Sequence, residues 1–203
     1  VGMGSLGSRR LHSRSDLDLI VIYDPAEAEM SEGRRPLGTR PYYARLTQAL
    51  ITAVTAPMAE GRLYEIDMRL RPSGNQGPVA TSLPSFQTYQ KNDAWVWEHL
   101  ARSRARCVAG PEALMQEVTA VQAEVMAAPR NRDDVLREVA IMRRRIASAK
   151  GDAGPWNAKL GQGRLQDIEL LAQAAALIAE RPPDKAPDSP ARGAASGWLT
   201  PQD

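Results

Sequence analysis

Two aspartates separated by a single residue begin the first strand-like run of this 203-residue sequence. Asp16 and Asp18 belong to the segment SDLDLIVIYD, and because side chains alternate along a strand, both carboxylates point to the same side. A third acid, Asp67, lies on the polar side of a second run, RLYEIDMRL. One strand pairing would bring the three together, and such a cluster suits two Mg²⁺ ions and displacement at phosphorus. The pattern predicts a nucleotidyl-transfer site with these three acids as catalytic residues and metal ligands.

Small and basic residues near these acids suit the binding of a triphosphate. Gly7 and Ser8 would let backbone N–H groups approach phosphate oxygens, and the hydroxyls of Ser8 and Ser15 are further donors. Arg69 and Arg71 follow the third acid, where guanidinium groups would neutralise a departing diphosphate. The alternative interpretation is ordinary: solvated acids at strand ends, and salt bridges from the two arginines to neighbouring acids or loops.

The glycines at the start of the sequence also match a dinucleotide-binding fingerprint. Gly2, Gly4 and Gly7 form G-x-G-x-x-G, and Asp24 ends the following apolar run. That fingerprint requires a long amphipathic helix after its glycines. Only the eight residues SRRLHSRS intervene before the first aspartate, and Leu11 is their one strongly apolar residue. The sequence therefore argues against a nicotinamide or flavin enzyme.

The composition excludes several other classes of function. The net charge of +2 is too small to indicate a nucleic-acid partner, and no apolar run is long enough to indicate a membrane span or signal peptide. A single cysteine, Cys107, excludes an internal disulfide framework and suits the reducing cytoplasm, where we expect the protein. With only two histidines, any metal is expected to be hard and oxygen-ligated.

Apolar periodicity predicts the elements that must position the acids. We expect strands at 17–23 and 62–70, a loop at 72–78 and a short strand at VATS. A helix is expected at 41–54, with one apolar face. The residues predicted to form that face are Tyr42, Leu46, Leu50 and Val54.

Helical patterns replace strand patterns after residue 82. They cover 83–91, 93–107, 111–127, 133–149 and 167–180, and Asp93 and Asp133 are predicted helix N-caps. The fold class is therefore predicted as α+β, a small mixed-sheet domain followed by a helical one. The predicted domains are 1–105, with a boundary between 82 and 110, a truncated helical domain at 106–180, and a linker or mobile tail at 181–203. Because both ends lack complete elements, we expect part of a longer protein.

Four longer segments resemble the glutamine synthetase adenylyltransferase family of the nucleotidyltransferase superfamily. They are GMGSLGS…SDLDLIVIYD, YEIDMRLRPSGNQGPVATS, YQKNDAWVWEHLARSRARCVAG and KLGQGRLQDIELLAQ. The resemblance extends from residue 2 to about residue 175. Enzymes of this family are bifunctional, with one half that adds AMP and one that removes it. The segment RLRPSG followed by YQKNDAWVWEH resembles the adding half.

The resemblance implies transfer of AMP from ATP to a tyrosine hydroxyl of glutamine synthetase, with release of diphosphate. It implies two Mg²⁺ ions (or Mn²⁺) on Asp16, Asp18 and Asp67, and a phosphate loop at Gly7 and Ser8. It also implies regulation by glutamine and a PII signalling protein in nitrogen metabolism. The alternatives are the AMP-removing half and a non-catalytic regulatory module of the same fold.

Several residues of the helical half have two possible roles each. A polar cluster at the last helix either caps that helix or contacts a nucleotide or another domain. A group of tryptophans with one histidine either packs at an interface or forms a stacking surface, and two arginine clusters are predicted to be solvated or to bind an acidic protein. These three sets are Lys159, Asp167 and Glu169; Trp95, Trp97 and His99; and Arg102, Arg104, Arg106 with 143–145.

Overall fold

A computed structural model describes residues 1–151 and 154–179, so the predicted tail at 181–203 lies outside the described residues. The described part combines helices with short parallel strands, which confirms the α+β prediction. Its strands are β1 (Leu17–Asp18), β2 (Val21–Tyr23), β3 (Ile66–Asp67) and β4 (Ala80–Ser82). Its helices are α1 (Gly4–Gly7), α2 (Thr39–Thr55), α3 (Leu83–Asn92), α4 (Val96–Arg102), α5 (Glu112–Ala127), α6 (Arg132–Lys150) and α7 (Leu165–Ile178). None of these helices combines the length and apolar character needed to cross a membrane.

The chain forms two compact units, each discontinuous in sequence. The strand-containing unit comprises Val1–Ala94 and Arg104–Val121. The helical unit comprises Trp95–Ser103 and the described residues from Gln122 onward. The predicted domain boundaries stay a prediction.

The apolar run at 17–23 forms two short strands instead of one. β1 pairs in parallel with β3, and β2 pairs in parallel with β4. β3 ends because the chain turns immediately after it, with the N–H of Arg71 donating to the carbonyl of Met68 at 3.2 Å. The second half of the run therefore takes a new neighbour, and β3 is much shorter than the strand predicted at 62–70.

The chain start lies against the other side of the same run. The N–H of Met3 donates to the carbonyl of Asp18 at 2.9 Å, and Gly2 forms antiparallel bridges with both Leu19 and Arg106. Residues 1–3, β1 and β3 thus lie side by side. In this small layer, β1 ends at Asp18 and β3 ends at Asp67.

Helix α2 is present as predicted, but it buries a different face. Tyr42, Leu46 and Leu50 are exposed by 41 to 53% of their surface, so the predicted core face is wrong. Thr47 is 2% exposed, and Tyr43 stacks on Tyr23 with ring centroids 4.1 Å apart. The buried side packs on β3 and β4, and packing against these strands, not apolar spacing, decides which face of α2 is buried.

The strand-containing unit has a compact core between its short strands and helices α2 and α3. Phe86 of α3 is fully buried, and Ile20 lies in the middle of the apolar run at 1% exposure. The other buried apolar residues of this part include Met3, Tyr23, Met68, Ala80 and Leu83. This packing fixes the backbone of the segments that carry the acids.

The helical unit packs α4, α6 and α7 around one core. Its buried members are Leu100, Met126, Val135, Ala174, Ala176 and Leu177. The alanines of α7 permit close approach of the neighbouring helices because they add little side-chain volume.

Both predicted N-caps are wrong. Asp93 follows α3 as its C-cap, and Trp95 precedes α4. The cap of α6 is Asn131, whose Oδ1 accepts the N–H groups of Asp133 at 2.9 Å and of Asp134 at 3.2 Å. Asn131 has the extended backbone that directs a side-chain oxygen to these donors, whereas Asp133 already lies inside the helix.

Candidate active site

The parallel pairing of β1 and β3 sets two of the predicted acids side by side. Asp18 pairs in register with Asp67, and the N–H of Leu19 donates to the carbonyl of Asp67 at 2.9 Å. Paired residues on adjacent strands direct their side chains to the same face of a sheet. The structure therefore brings Asp18 and Asp67 together on one face, as the sequence pattern required.

Asp18 is the most enclosed of the three acids. Burial is the main cause that raises the pKa of its carboxyl above the ordinary value of 3.8, followed by the charges of Asp67 and Asp16. Arg104 and Arg69 partly offset this rise. The side chain of Asp16 is exposed but close enough for its charge to act on Asp18. The three carboxylates thus form one electrostatically coupled cluster.

Asp67 is held by the arginine two residues further on. Its Oδ1 accepts the backbone N–H of Arg69 at 2.8 Å and Nε at 3.0 Å. Its Oδ2 accepts Nε at 2.8 Å and is also bonded to Nη2. The hydrogen bonds from the Arg69 side chain hold the pKa of the Asp67 carboxyl below its usual value, and the same contact raises the pKa of Arg69.

The glycine that meets the acid cluster is Gly4, which the sequence analysis did not select. It begins α1 with a φ of +49°, and a Cβ at this position would overlap the Asp18 carboxylate. The dipeptide Gly4-Ser5 precedes Asp16 by ten intervening residues, whereas Gly7-Ser8 leaves only seven. The two Gly-Ser dipeptides are equivalent in sequence, and only the position of α1 shows which of them lies beside the acids.

Gly7 and Ser8 use their donors inside α1. The N–H of Gly7 donates to the carbonyl of Met3 at 2.7 Å, and the N–H of Ser8 donates to that of Gly4 at 3.1 Å. The Ser8 hydroxyl also donates to the Gly4 carbonyl, at 2.9 Å. A Cβ at Gly7 would overlap the carbonyl of Arg104, so close packing requires glycine there. The phosphate contacts of Gly7 and Ser8 stay predictions, and these N–H groups are already bonded.

Ser15 and Arg71 shape the loops beside the cluster. Ser15 is 8% exposed, and its Oγ accepts the N–H of His12 at 3.1 Å. The Arg71 guanidinium donates to the carbonyls of Met68 at 2.9 Å and Gly77 at 3.2 Å. Their phosphate roles stay predictions. Arg69 differs from Arg71 because its guanidinium lies at the surface, with 74% of the side chain exposed.

A distant arginine supports α1. Arg106 donates from Nε to the carbonyl of Gly7 at 3.3 Å and from Nη2 to that of Leu6 at 3.2 Å. Arg102, in the helical unit, is 1% exposed. The prediction of solvated arginines is therefore wrong for Arg102 and Arg106, because spacing alone does not show which guanidinium groups meet carbonyls or enter a core.

The donor set of the cluster suits a hard divalent cation. Three carboxylates share one region, and their mutual repulsion is the kind that a bound cation relieves. Within the described ranges, no three acidic, histidine or cysteine side chains converge closely enough in this arrangement to hold a metal ion. Both oxygens of Asp67 are engaged by Arg69. The three carboxylates are suitable ligands by their chemistry, but Asp67 has to be released from Arg69 before all three can bind one ion.

The polar cluster of the helical unit includes a paired acid at the start of α7. Arg143 Nε donates to both oxygens of Asp167, at 3.0 and 2.9 Å, and the N–H of Gly163 donates to Oδ2 at 2.8 Å. The Arg143 hydrogen bond is the main cause that lowers the pKa of Asp167. These contacts suit the capping role. Lys159 contributes a backbone N–H to Asn157 Oδ1.

The aromatic group of the helical unit is divided between surface and interior. Trp95 is 65% exposed, whereas Trp97 and His99 are partly buried. His99 Nδ1 lies 3.3 Å from Nη2 of Arg130. The contact of His99 with Arg130 lies within the helical unit, which suits the packing role.

An open pocket of about 380 Å³ in the strand-containing unit has no counterpart in the sequence analysis. Its walls include Met30 and Glu32 from the loop after β2, and Tyr42 and Tyr43 from α2. Apolar spacing placed Tyr42 in the core, so the pocket could not be anticipated.

Residues 1–121 match the family model described as glutamate-ammonia ligase adenylyltransferase. Three similar curated proteins are each named bifunctional glutamine synthetase adenylyltransferase/adenylyl-removing enzyme. That of Mesorhizobium japonicum is 50% identical over 181 residues, which is 89% of this chain and 18% of that protein. Those of Brucella suis and Rhizobium meliloti are 49% identical over 178 residues and 47% over 197, covering 87% and 97% of this chain and 18% and 19% of theirs. The chain thus spans less than a fifth of the length of these relatives.

Proposed function

Because this chain belongs to the glutamate-ammonia ligase adenylyltransferase family, we propose that it carries a nucleotidyltransferase site that adds AMP to glutamine synthetase. In this proposal, AMP passes from ATP to a tyrosine hydroxyl and diphosphate is released. The observation that supports it most directly is the in-register pairing of Asp18 with Asp67, with the charge of Asp16 acting on Asp18. Because the chain spans less than a fifth of its relatives' length, the activity, substrates and partners given below are also proposals.

The acid cluster supplies the ligands in this proposal. Asp16, Asp18 and Asp67 would hold two Mg²⁺ ions, or Mn²⁺, which when bound neutralise the triphosphate and lower the pKa of the attacking hydroxyl. Asp67 is also the proposed acceptor of the tyrosine proton. Gly4 leaves space for the Asp18 carboxylate against α1.

The two arginines after β3 have different roles in this proposal. Arg69 has an exposed guanidinium that suits contact with phosphate oxygens. Arg71 holds the following loop through the carbonyls of Met68, Asn75 and Gly77. This loop contains Ser73 in a left-handed conformation and a 3-10 turn at Gly74–Gln76, so a fixed arginine stabilises an otherwise strained segment.

Glutamine synthetase is the proposed protein substrate because the relatives' names include it. A PII protein and glutamine are the proposed regulators, and the cytoplasm is the proposed location. Neither a nucleic acid nor a membrane is required for this reaction.

The relatives' names also include an adenylyl-removing activity. A removing site would use the same acids with phosphate as nucleophile, so product analysis separates the two reactions. Diphosphate formed from ATP supports addition. ADP formed from adenylylated glutamine synthetase and phosphate supports removal.

Thermal unfolding with and without Mg·ATP tests whether the site binds nucleotide. At a ligand concentration of roughly a hundred times the Kd, binding adds about 2.7 kcal/mol of stability. We expect the parent chain to gain this stability and Asp18→Asn to lose the gain. Asp24→Asn is the matched control, because Asp24 is exposed and its Oδ1 accepts only the nearby N–H of Ala26 among its described hydrogen bonds.

Transfer of labelled AMP to purified glutamine synthetase then tests the reaction. We expect label on the protein with the parent and with Asp24→Asn, and none with Asp18→Asn. If no variant responds to Mg·ATP although all are folded, the regulatory-module alternative replaces this proposal.

A further inference from the structure

Arg69 forms all the described hydrogen bonds of its side chain with one carboxylate. Nε donates to both oxygens of Asp67 and Nη2 donates to Oδ2, while the backbone N–H of Arg69 donates to Oδ1. A carboxylate has two oxygens with about four lone-pair sites. The guanidinium therefore occupies most of the capacity of Asp67, the acid that lies beside Asp18.

Besides Asp67, only the charges of Asp18 and Asp16 are described as attracting this guanidinium. The Arg69 side chain is 74% exposed, whereas the Asp67 side chain is 17% exposed. Arg71, two residues further on, donates to three backbone carbonyls of its loop and is much more enclosed. Arg69 is consequently the arginine of this segment whose guanidinium can leave its partner for solvent, since water reaches most of its side chain.

We propose that Arg69 is an internal cation that occupies Asp67 until a divalent ion displaces it, after which its guanidinium binds the triphosphate. A divalent ion requires direct contact with a carboxylate oxygen, and a guanidinium on the same two oxygens repels it at close range. The backbone N–H bond to Oδ1 does not oppose this exchange, so only the side chain of Arg69 has to move. The second step rests on the function proposed above.

This exchange couples the binding of the two ligands. A divalent ion that binds alone leaves Arg69 without its carboxylate, whereas a triphosphate offers new anionic partners to the same group. Each ligand therefore favours the other, and by linkage the coupling is equal in both directions. Arg69 would thus alternate between Asp67 and the triphosphate, whereas a permanent phosphate contact would leave the metal affinity unchanged.

Direct titration with Mn²⁺, followed by the EPR signal of the free ion, tests the first step without nucleotide. We expect Arg69→Gln to bind Mn²⁺ about two- to fivefold more tightly than the parent, because the ion no longer has to displace the guanidinium from Asp67. Arg62→Gln is the matched control: it removes the same charge from an exposed arginine that is paired with Glu65. It should leave the Mn²⁺ affinity within about twofold of the parent.

Two further measurements locate the effect and test the second step. Asp18→Asn should weaken Mn²⁺ binding in both the parent and the Arg69→Gln background, which assigns the ion to the acid cluster. A non-hydrolysable ATP analogue should increase the Mn²⁺ affinity of the parent by a larger factor than that of Arg69→Gln. Circular dichroism checks that each variant is folded.

The outcomes separate this inference from the proposed function. Equal Mn²⁺ affinity of Arg69→Gln, Arg62→Gln and the parent, with loss in Asp18→Asn, overturns the inference and leaves the metal site intact. No Mn²⁺ binding to any folded variant overturns both the inference and the carboxylate site. Tighter binding by Arg69→Gln, together with no AMP transfer by the parent, supports the displacement of Arg69 by the ion and contradicts the proposed function.

Discussion

Gly4 lies where the carboxylate of Asp18 approaches the backbone of α1, at a φ of +49°. We expect Gly4→Ala to abolish the stabilisation by Mg·ATP, because the new methyl group displaces Asp18, and to cost about 1 kcal/mol of stability through backbone strain. Thermal unfolding with and without Mg·ATP measures both effects. Gly163→Ala is the control, since Gly163 also has a positive φ, +72°, but open space beyond its Cα. Equal nucleotide responses of the two variants would contradict this role for Gly4.

The pairing of Asp167 with Arg143 makes a pH-dependent contribution to stability. The folded-state pKa of Asp167 is lowered, chiefly by the Arg143 hydrogen bond, so the carboxylate stabilises the fold above its ordinary pKa of 3.8. This stabilisation is lost as the pH falls below that value through the folded pKa. We expect Asp167→Asn to lower the midpoint of urea unfolding at pH 7 and to have a smaller effect at pH 3. An Arg143→Gln, Asp167→Asn double variant that shows additive losses would indicate that the two groups act independently.

Residue types and spacing were sufficient to predict that Asp18 and Asp67 lie together, because alternation along a strand is a strong geometric constraint. The contact between Asp67 and Arg69 could not be selected in the same way. The alternating pattern of RLYEIDMRL predicts that Arg69 continues a strand on the same side as Asp67, whereas the chain turns after Met68 and brings the guanidinium back to the carboxylate. Such turns depend on the tertiary partners of a segment.

Helix α2 provides a test at the scale of one element. Leu46 is 53% exposed and Thr47 is 2% exposed, the reverse of what apolar spacing predicts. The Thr47 hydroxyl has no hydrogen-bond partner among the described residues. We expect Leu46→Ala to change stability by less than about 0.5 kcal/mol and Thr47→Val to increase it by about 1 kcal/mol, because an unsatisfied hydroxyl leaves the core. Urea unfolding measures both, and a loss of more than about 2 kcal/mol for Leu46→Ala would restore the predicted face.

The positions of most helices follow from the sequence, while their faces and ends follow from packing. The patterns at 83–91 and 111–127 correspond to α3 and α5 within a few residues. The four-residue spacing of Tyr42, Leu46 and Leu50 is equally regular. The side of α2 that packs on β3 and β4 is nevertheless the one that carries Tyr43 and Thr47. An amphipathic pattern shows that a helix forms, and it does not show which neighbours the helix will have.

At the scale of the whole molecule, the acid cluster depends on a segment far along the chain. Gly2 and Arg106 exchange backbone hydrogen bonds of 2.8 and 2.9 Å. We expect Arg106→Pro, which removes the N–H donor to the buried carbonyl of Gly2, to cost about 1–3 kcal/mol and to weaken Mn²⁺ binding. Arg106→Gln retains the backbone bonds and should bind Mn²⁺ with an affinity closer to that of the parent. Undiminished Mn²⁺ binding by folded Arg106→Pro would show that α1 does not need this support.

The same pairing affects how the protein folds. The hydrogen bonds of Arg106 to Gly7 and Leu6 join groups 99 and 100 residues apart. Closing so long a loop is entropically costly and slow compared with forming a local helix. During synthesis, about a hundred further residues must therefore be added after α1 before Arg106 can form these hydrogen bonds. Until then α1 lacks the hydrogen bonds from Arg106, and we expect the acid cluster to bind ligand only after this late closure.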